Sequence, residues 1–163
     1  MHRAGFGPEP ATGPGVALRS AQAEADADRR RAHYLTIHTD QLKPVFLDLP
    51  FGRVVVRQIM QTARHEVFEL LAYCVLPDRA DLVVRTHAPE ADVRRFINCL
   101  KQRTGYGYFL RTGGPLWRPG FADRPLGTLD AATRTALHVM RAPVRAGLAA
   151  TPEDYALSGT LKG

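Results

Sequence analysis

Two apolar runs, Phe68–Leu76 and Ala80–Thr86, stand on either side of Pro77-Asp78, and that adjacency restricts the fold more than any other feature of the chain. Both runs are short and rich in β-branched, aromatic and aliphatic residues, which is strand chemistry. A connection this brief forces the two strands to pair antiparallel. On an extended chain, residues two apart point to the same side. Arg79 and Asp81 therefore project together from one face at the start of the second strand, and a charge pair in that position needs a reason.

The flanking segments extend the pattern. His33-Tyr34-Leu35-Thr36-Ile37-His38 alternates at period two and reads as a strand. From about Pro50 to Arg64, Val54, Val55, Ile59 and Ala63 recur at helical spacing. Ala88-Pro89-Glu90 opens a second helix to about Arg103, with Val93, Phe96, Ile97 and Leu100 on one face and Gly105 and Gly107 to stop it. Leu116–Phe121 reads as a further strand or an irregular piece. Thr128-Leu129-Asp130 starts another helix, which Pro143 must end or kink near Ala142. Strand, helix, strand, strand, helix, strand is the split βαβ order. The expected fold is α+β and ferredoxin-like: one antiparallel sheet with helices packed on one face.

At 163 residues, with 45% hydrophobic and 23% charged residues, the chain suits one globular domain. Residues 1–31 are Gly-, Pro- and Ala-rich and end in a basic run, so they read as a flexible tail before a domain at 32–163. No run approaches the roughly 18 apolar residues of a membrane span, and no apolar leader precedes the domain. Cys74 and Cys99 lack metal-type spacing and read as buried free thiols of a cytoplasmic protein. The net charge of +6 is concentrated: residues 94–124 hold seven basic residues and a single acid, Asp123. Tyr106, Tyr108, Phe109, Trp117 and Phe121 interleave with them, a composition that suits a polyanion with stackable bases.

Several stretches together resemble one family. HYLTIHT (33–39), AYCVLPDRADLVV (72–84), LKQRTGYGYF (100–109), PLWRPGFADRPL (115–126), ALHVMRAPVRAGL (136–148) and DYALSG (154–159) resemble, in order, blocks of the IS200-like single-tyrosine HUH transposases, especially those associated with repetitive extragenic palindromes (REP). The resemblance implies a protein that works on single-stranded or hairpin DNA, as a monomer or homodimer. It also implies a magnesium or manganese ion held by two histidines flanking a hydrophobic residue, a tyrosine nucleophile on the last helix, and an amide side chain four residues later. Here the histidine pair falls on Arg79 and Asp81, the tyrosine on His138 and the amide on Ala142.

A guanidinium cannot ligate a cation and repels a divalent one. The expectation is therefore a DNA-binding relative without cleavage and without a cofactor. Asp81 and His138, with His65 or His87, are the remaining metal candidates. Arg79 either pairs with Asp81 or meets a DNA phosphate itself. A substitute tyrosine would have to be Tyr106 or Tyr108. The residues expected to meet DNA are Arg94, Arg95, Lys101 and Arg103, with Arg118 and Arg124 beside them. Trp117 either stacks on a base or anchors the core. A divergent nicking enzyme and a protein-interaction module on the same scaffold are the competing readings.

Overall fold

The structure, a computed structural model, describes residues 31–160; the expected tail, apart from Arg31, lies outside the described residues. The chain runs β1 (Arg31–His38), α1 (Leu49–His65), β2 (Glu69–Leu76), β3 (Arg79–Thr86), α2 (Val93–Thr112), β4 (Ala122–Leu126), α3 (Leu129–Arg145) and β5 (Ser158–Gly159). The strands form one sheet in the order β4-β1-β3-β2-β5, with every neighbouring pair antiparallel. The first four strands and first two helices are the ferredoxin-like arrangement, and β5 adds an edge.

Each helix begins where the sequence supplies an acceptor for its free amides. Asp48 accepts from Phe51 N at 3.2 Å with Pro50 in the first turn, Asp92 accepts from Arg94 N at 2.9 Å, and Thr128 accepts from Ala131 N at 3.0 Å. Between α1 and β2, Val67 holds φ at 64°, the left-handed region that a β-branched residue rarely enters. The Thr86 hydroxyl holds that turn by donating to the Val67 carbonyl at 3.0 Å.

Four boundaries differ from the sequence expectation. α2 opens at Val93, capped by Asp92, and not at Ala88-Pro89-Glu90. α2 does not stop at Gly105 or Gly107 but runs on to Gly113, which ends it at φ 75°. Each interior glycine costs roughly 1 kcal/mol, and tertiary contacts in the added turns offset this. The Thr104 hydroxyl receives the Trp117 indole N–H at 2.8 Å, and Tyr108 stacks on Phe51 with ring centres 5.9 Å apart. The fourth strand is Ala122–Leu126, not Leu116–Phe121. The earlier piece only touches the end of β1, through Asp40 N to Leu116 O and Arg118 N to His38 O, both 2.9 Å, before Pro119-Gly120 breaks the ladder. Pro125 is tolerated because β4 is an edge strand. α3 passes through Pro143 and ends at Arg145, with Gly147 at φ 73° beyond it.

The helices do not all share one face. α1 and α2 cover the side that carries Leu35, Ile37, Leu70, Val75, Leu82 and Val84. α3 lies on the other side, where Val139 and Ala142 pack on Ala72, Cys74, Leu76 and Val83. The expectation of helices on one face therefore holds for α1 and α2 and is corrected for α3. The sequence contains part of the reason: β2 is apolar on both faces, as a strand covered on both sides must be, and no residue of β3 is exposed despite the charges at Arg79, Asp81 and Arg85. The last segment wraps the β2 edge. Tyr155 donates its hydroxyl to Val75 O at 2.6 Å, Val75 N donates to Leu157 O at 2.8 Å, and Leu157 plugs into the core over Gly52. A Cβ at position 52 would collide with the Leu157 side chain. Gly52→Val should therefore lower unfolding stability by about 1–3 kcal/mol, read from urea melts. An unchanged midpoint would mean that Leu157 is not docked there.

Candidate nucleic-acid interface

Antiparallel register builds the candidate site. Thr36, Asp81, Cys74 and Ser158 stand in one row across β1, β3, β2 and β5, on the face under α3. Asp81 is 2% exposed, so its charge must be met inside the protein. Thr36 donates its hydroxyl to one carboxylate oxygen at 3.0 Å, and Arg79 donates Nε–H to the other at 3.2 Å. Of the two roles open to Arg79, the ion pair is formed. It uses only Nε–H; the Arg79 side chain keeps 38% of its surface exposed, and its terminal nitrogens have no hydrogen-bond partner among the described residues. Burial and the Asp81 charge push the Cys74 thiol up to about 12, so it stays a neutral wall of the site.

α3 sets His138 over this row. Arg145 spans two turns to donate to His138 O at 2.9 Å, and its other terminal nitrogen lies 3.3 Å from His138 Nε2. Burial and the Arg145 charge hold His138 below its ordinary value of 6.5; Asp81 opposes that shift, while Arg124 and Arg79 add to it. Tyr34, on β1, is overlaid by the Arg124 guanidinium at 5.3 Å from the ring centre. Burial and Asp81 raise the Tyr34 hydroxyl above 10, which keeps it protonated and unactivated as a nucleophile. Tyr34, Arg124, Arg134, Thr135 and His138 line a pocket of about 480 Å³ between sheet and helix.

These groups fit an anion and do not fit a divalent cation. Both Asp81 oxygens are engaged, and the nearest charges are guanidinium groups. The third ligands considered for the metal are elsewhere: His65 sits 3.0 Å from Glu66 at the end of α1, and His87 follows the far end of β3, near Glu69. Among the described residues no three His, Cys, Asp or Glu side chains converge as a metal would require. Ala142, at the position of the family's amide, is buried against the sheet. Tyr106 and Tyr108 belong to α2, across the sheet from His138, so neither stands in for a nucleophile on α3.

The residues expected to meet DNA are not gathered on one surface. Arg124 joins the pocket under α3, whereas Arg94, Arg95, Lys101, Arg103 and Arg118 lie on the α2 side. Two of these are structural ties. Arg95 donates Nε–H to Glu66 at 2.6 Å, and Glu66 is 2% exposed. Lys101 donates Nζ–H to Arg118 O at 2.9 Å and Gly120 O at 2.6 Å, pinning the loop after α2. Trp117 is buried in the core, 7% exposed, against Phe46 and with its indole N–H on Thr104. That is the anchoring role, and it leaves the ring no free face for a base to stack on. Arg94, Arg103 and Arg118 remain exposed. Sequence reasoning missed Tyr34, Thr36, Arg134 and Arg145. The period-two pattern of β1 already placed Tyr34 and Thr36 on one face, and Arg145 lies seven residues after His138, two turns along the same helix face.

Comparison with solved structures agrees with this fold. A REP-associated tyrosine transposase bound to a REP hairpin superposes with a TM-score of 0.66 at 16% identity, covering 80% of this chain and 76% of that one. A candidate transposase from Deinococcus radiodurans R1 gives a TM-score of 0.48 at 22% identity, covering 66% and 85%. No protein-family model matches the sequence, and no curated protein does. The fold is that of the REP-associated tyrosine transposases.

The Glu66–Arg95 pair gives a direct test of which arginines are structural. The Arg95 hydrogen bond holds the Glu66 carboxyl below its ordinary 4.5. A depressed carboxyl contributes stability above 4.5 and loses it as pH falls through the folded-state value. Arg95→Ala should lower stability at pH 7 by leaving the Glu66 carboxylate, 2% exposed, without its guanidinium partner. The gap from wild type should narrow as pH drops below 4.5. A pH-independent gap would assign the loss to packing alone.

Proposed function

We propose that this chain binds single-stranded DNA, with a hairpin as the preferred form, and does not cut it. The observation that carries this reading is the closed Thr36–Asp81–Arg79 network in the place where the resembling family holds its metal. Asp81 neutralises half of the arginine's role and orients the rest. The terminal nitrogens of Arg79, without a partner among the described residues, can take two oxygens of one phosphate. Arg124 and Arg134 line the adjoining pocket and Arg145 clamps His138, so a phosphodiester there meets fixed positive charge without a metal ion. The solved neighbour's REP hairpin supports the class of ligand.

Binding and cleavage separate here for a chemical reason. Cutting a phosphodiester needs a nucleophile and something to stabilise charge on the leaving and non-bridging oxygens. α3 carries no tyrosine, and the residue in that place is an imidazole kept neutral and clamped by Arg145. Arg79 supplies charge but cannot activate water or a hydroxyl, because it never gives up its proton. No cofactor is needed for the binding role. Among the described residues no helix is long and apolar enough to cross a membrane.

Fluorescence anisotropy with a labelled DNA hairpin, at two salt concentrations and without added metal, tests the binding. Affinity should fall steeply with salt, and Arg124→Ala should reduce the log–log slope by about one. No binding at low salt would overturn the reading. Adding magnesium or manganese should give no protein–DNA adduct on a denaturing gel, and an adduct would reinstate the nicking enzyme. The pH dependence has a definite sign. A bound phosphate favours imidazolium, whereas the free pocket holds His138 below 6.5. Binding therefore takes up a proton, and affinity should rise as pH falls through and below 6.5, an effect that His138→Asn removes.

A further inference from the structure

The pocket between the sheet and α3 lies beside the point where the chain enters the fold. Ala32, the second residue of β1, pairs across the ladder with Leu126, and Leu126 lines that pocket. Two residues further along β1, Tyr34 pairs with Arg124. From the start of β1 to the Arg124 side of the pocket is therefore three residues of strand, or roughly 10 Å. A segment that precedes Arg31 starts within reach of this site.

The charge of the pocket has no internal answer. Among the described residues neither Arg124 nor Arg134 has an acidic partner. Asp81 is buried with both oxygens engaged. Asp123, next to Arg124, turns to the other face of the sheet and meets His33 Nδ1 at 2.9 Å. The sequence before Arg31 carries the complement. Residues 21–28, outside the described residues, read AQAEADAD, in which Glu24, Asp26 and Asp28 alternate with alanine and no basic residue intervenes. On an extended chain the three carboxylates project to one side, roughly 7 Å apart. Asp28 and Glu24 stand about 10 and 23 Å of extended chain before Arg31. One reversal at Arg29-Arg30 brings the run over Arg124 and Arg134.

We infer that Glu24, Asp26 and Asp28 dock into the pocket at Arg124 and Arg134 and shield it, so that a nucleic acid has to displace the protein's own carboxylates. The docking stands on charge and reach; its regulatory consequence rests on the DNA-binding reading. A short tether sets an effective concentration in the millimolar range. Carboxylate–guanidinium contacts too weak to join separate molecules therefore close within one chain. A lone phosphate competes poorly with three tethered carboxylates, whereas a polyanion that also meets Arg79 displaces them.

The test uses the full chain carrying Arg134→Lys, which puts an amine at that position for zero-length carbodiimide coupling, with no DNA present. Peptide mass spectrometry should find position 134 joined to Glu24, Asp26 or Asp28, with a yield that falls as salt rises. Lys43, beyond the opposite end of β1, should give no such link. Absence of the link to position 134, or equal links to Lys43, would overturn the docking and leave the DNA reading untouched. In a second arm, the full chain with Glu24→Gln, Asp26→Asn and Asp28→Asn should bind a labelled hairpin roughly tenfold more tightly at low salt, as expected when a tethered competitor is removed. Docking predicts that this gain disappears when Arg124→Ala and Arg134→Ala are already present, whereas a plain change in net charge would keep it. A gain that persists in that background, or no gain at all, would overturn the shielding. No hairpin binding by any variant at low salt would remove the DNA reading and the shielding with it, while the link to position 134 would still report the docking.

Discussion

A carboxylate buried in the middle of a sheet has to be answered by its neighbours, and on this face of the molecule the answer to Asp81 decides the rest. Its strand, β3, is central, with β1 on one side and β2 on the other. Water is excluded, so the partners must come from the ladder itself: Thr36 from β1 and Arg79 from two residues earlier on the same strand. Satisfying Asp81 fixes Arg79 in direction. Fixing Arg79 places a positive end beneath α3, where burial and the Arg145 charge already hold His138 below its ordinary value and Arg124 and Arg79 add to that shift. A buried ion pair is weak support for stability, because desolvation offsets its attraction. Its value here is orientation: it turns a flexible arginine into a fixed one.

The same sorting separates the basic residues elsewhere. A pI near 9.8 says only that positive charge is in excess; pairing says what each charge does. Arg95 meets a carboxylate that cannot reach water, and Lys101 closes a loop by gripping two carbonyls. Neither is free to meet a polyanion without breaking something internal. Arg103, Arg118 and Arg124 have no acidic counterpart among the described residues. Positive charge without an internal acidic partner therefore belongs to a subset of the basic run, divided between the two faces of the sheet.

Much of this fold was legible in the sequence, because period and punctuation are local signals. The hairpin around Pro77-Asp78, the α1 and α2 faces and the helix start at Thr128 follow from neighbouring residues, whereas the start of α2 at Asp92 was not read from the sequence. What failed were judgements needing distant partners. Gly105 and Gly107 read as a stop, yet Trp117 and Phe51 hold the helix together past them. Leu116–Phe121 looks like strand, but its ladder is taken by the five residues that follow Gly120-Phe121. The pairing of Arg79 with Asp81 was readable from a spacing of two. The third member, Thr36, was not, because it depends on register between β1 and β3. Glu66 is the clearest limit: nothing in the sequence marks it as buried, and so nothing marked Arg95 as already committed.

Exchanging a metal for an arginine changes what a phosphate site can do, and the change runs in one direction. A divalent ion draws charge from the phosphoryl oxygens and lowers the pKa of what it binds, so it serves binding and chemistry together. A guanidinium offers geometry and charge but no acidity, so it serves binding alone. Arg79 is also tethered, through Asp81, to the centre of the sheet, and cannot dissociate as an ion can. A site built this way is permanently occupied by its own cation. For the binding role proposed above, that leaves positive charge pre-organised, without the ordering cost of recruiting a metal. A guanidinium held this way supplies charge without acidity, and α3 carries no tyrosine beside it.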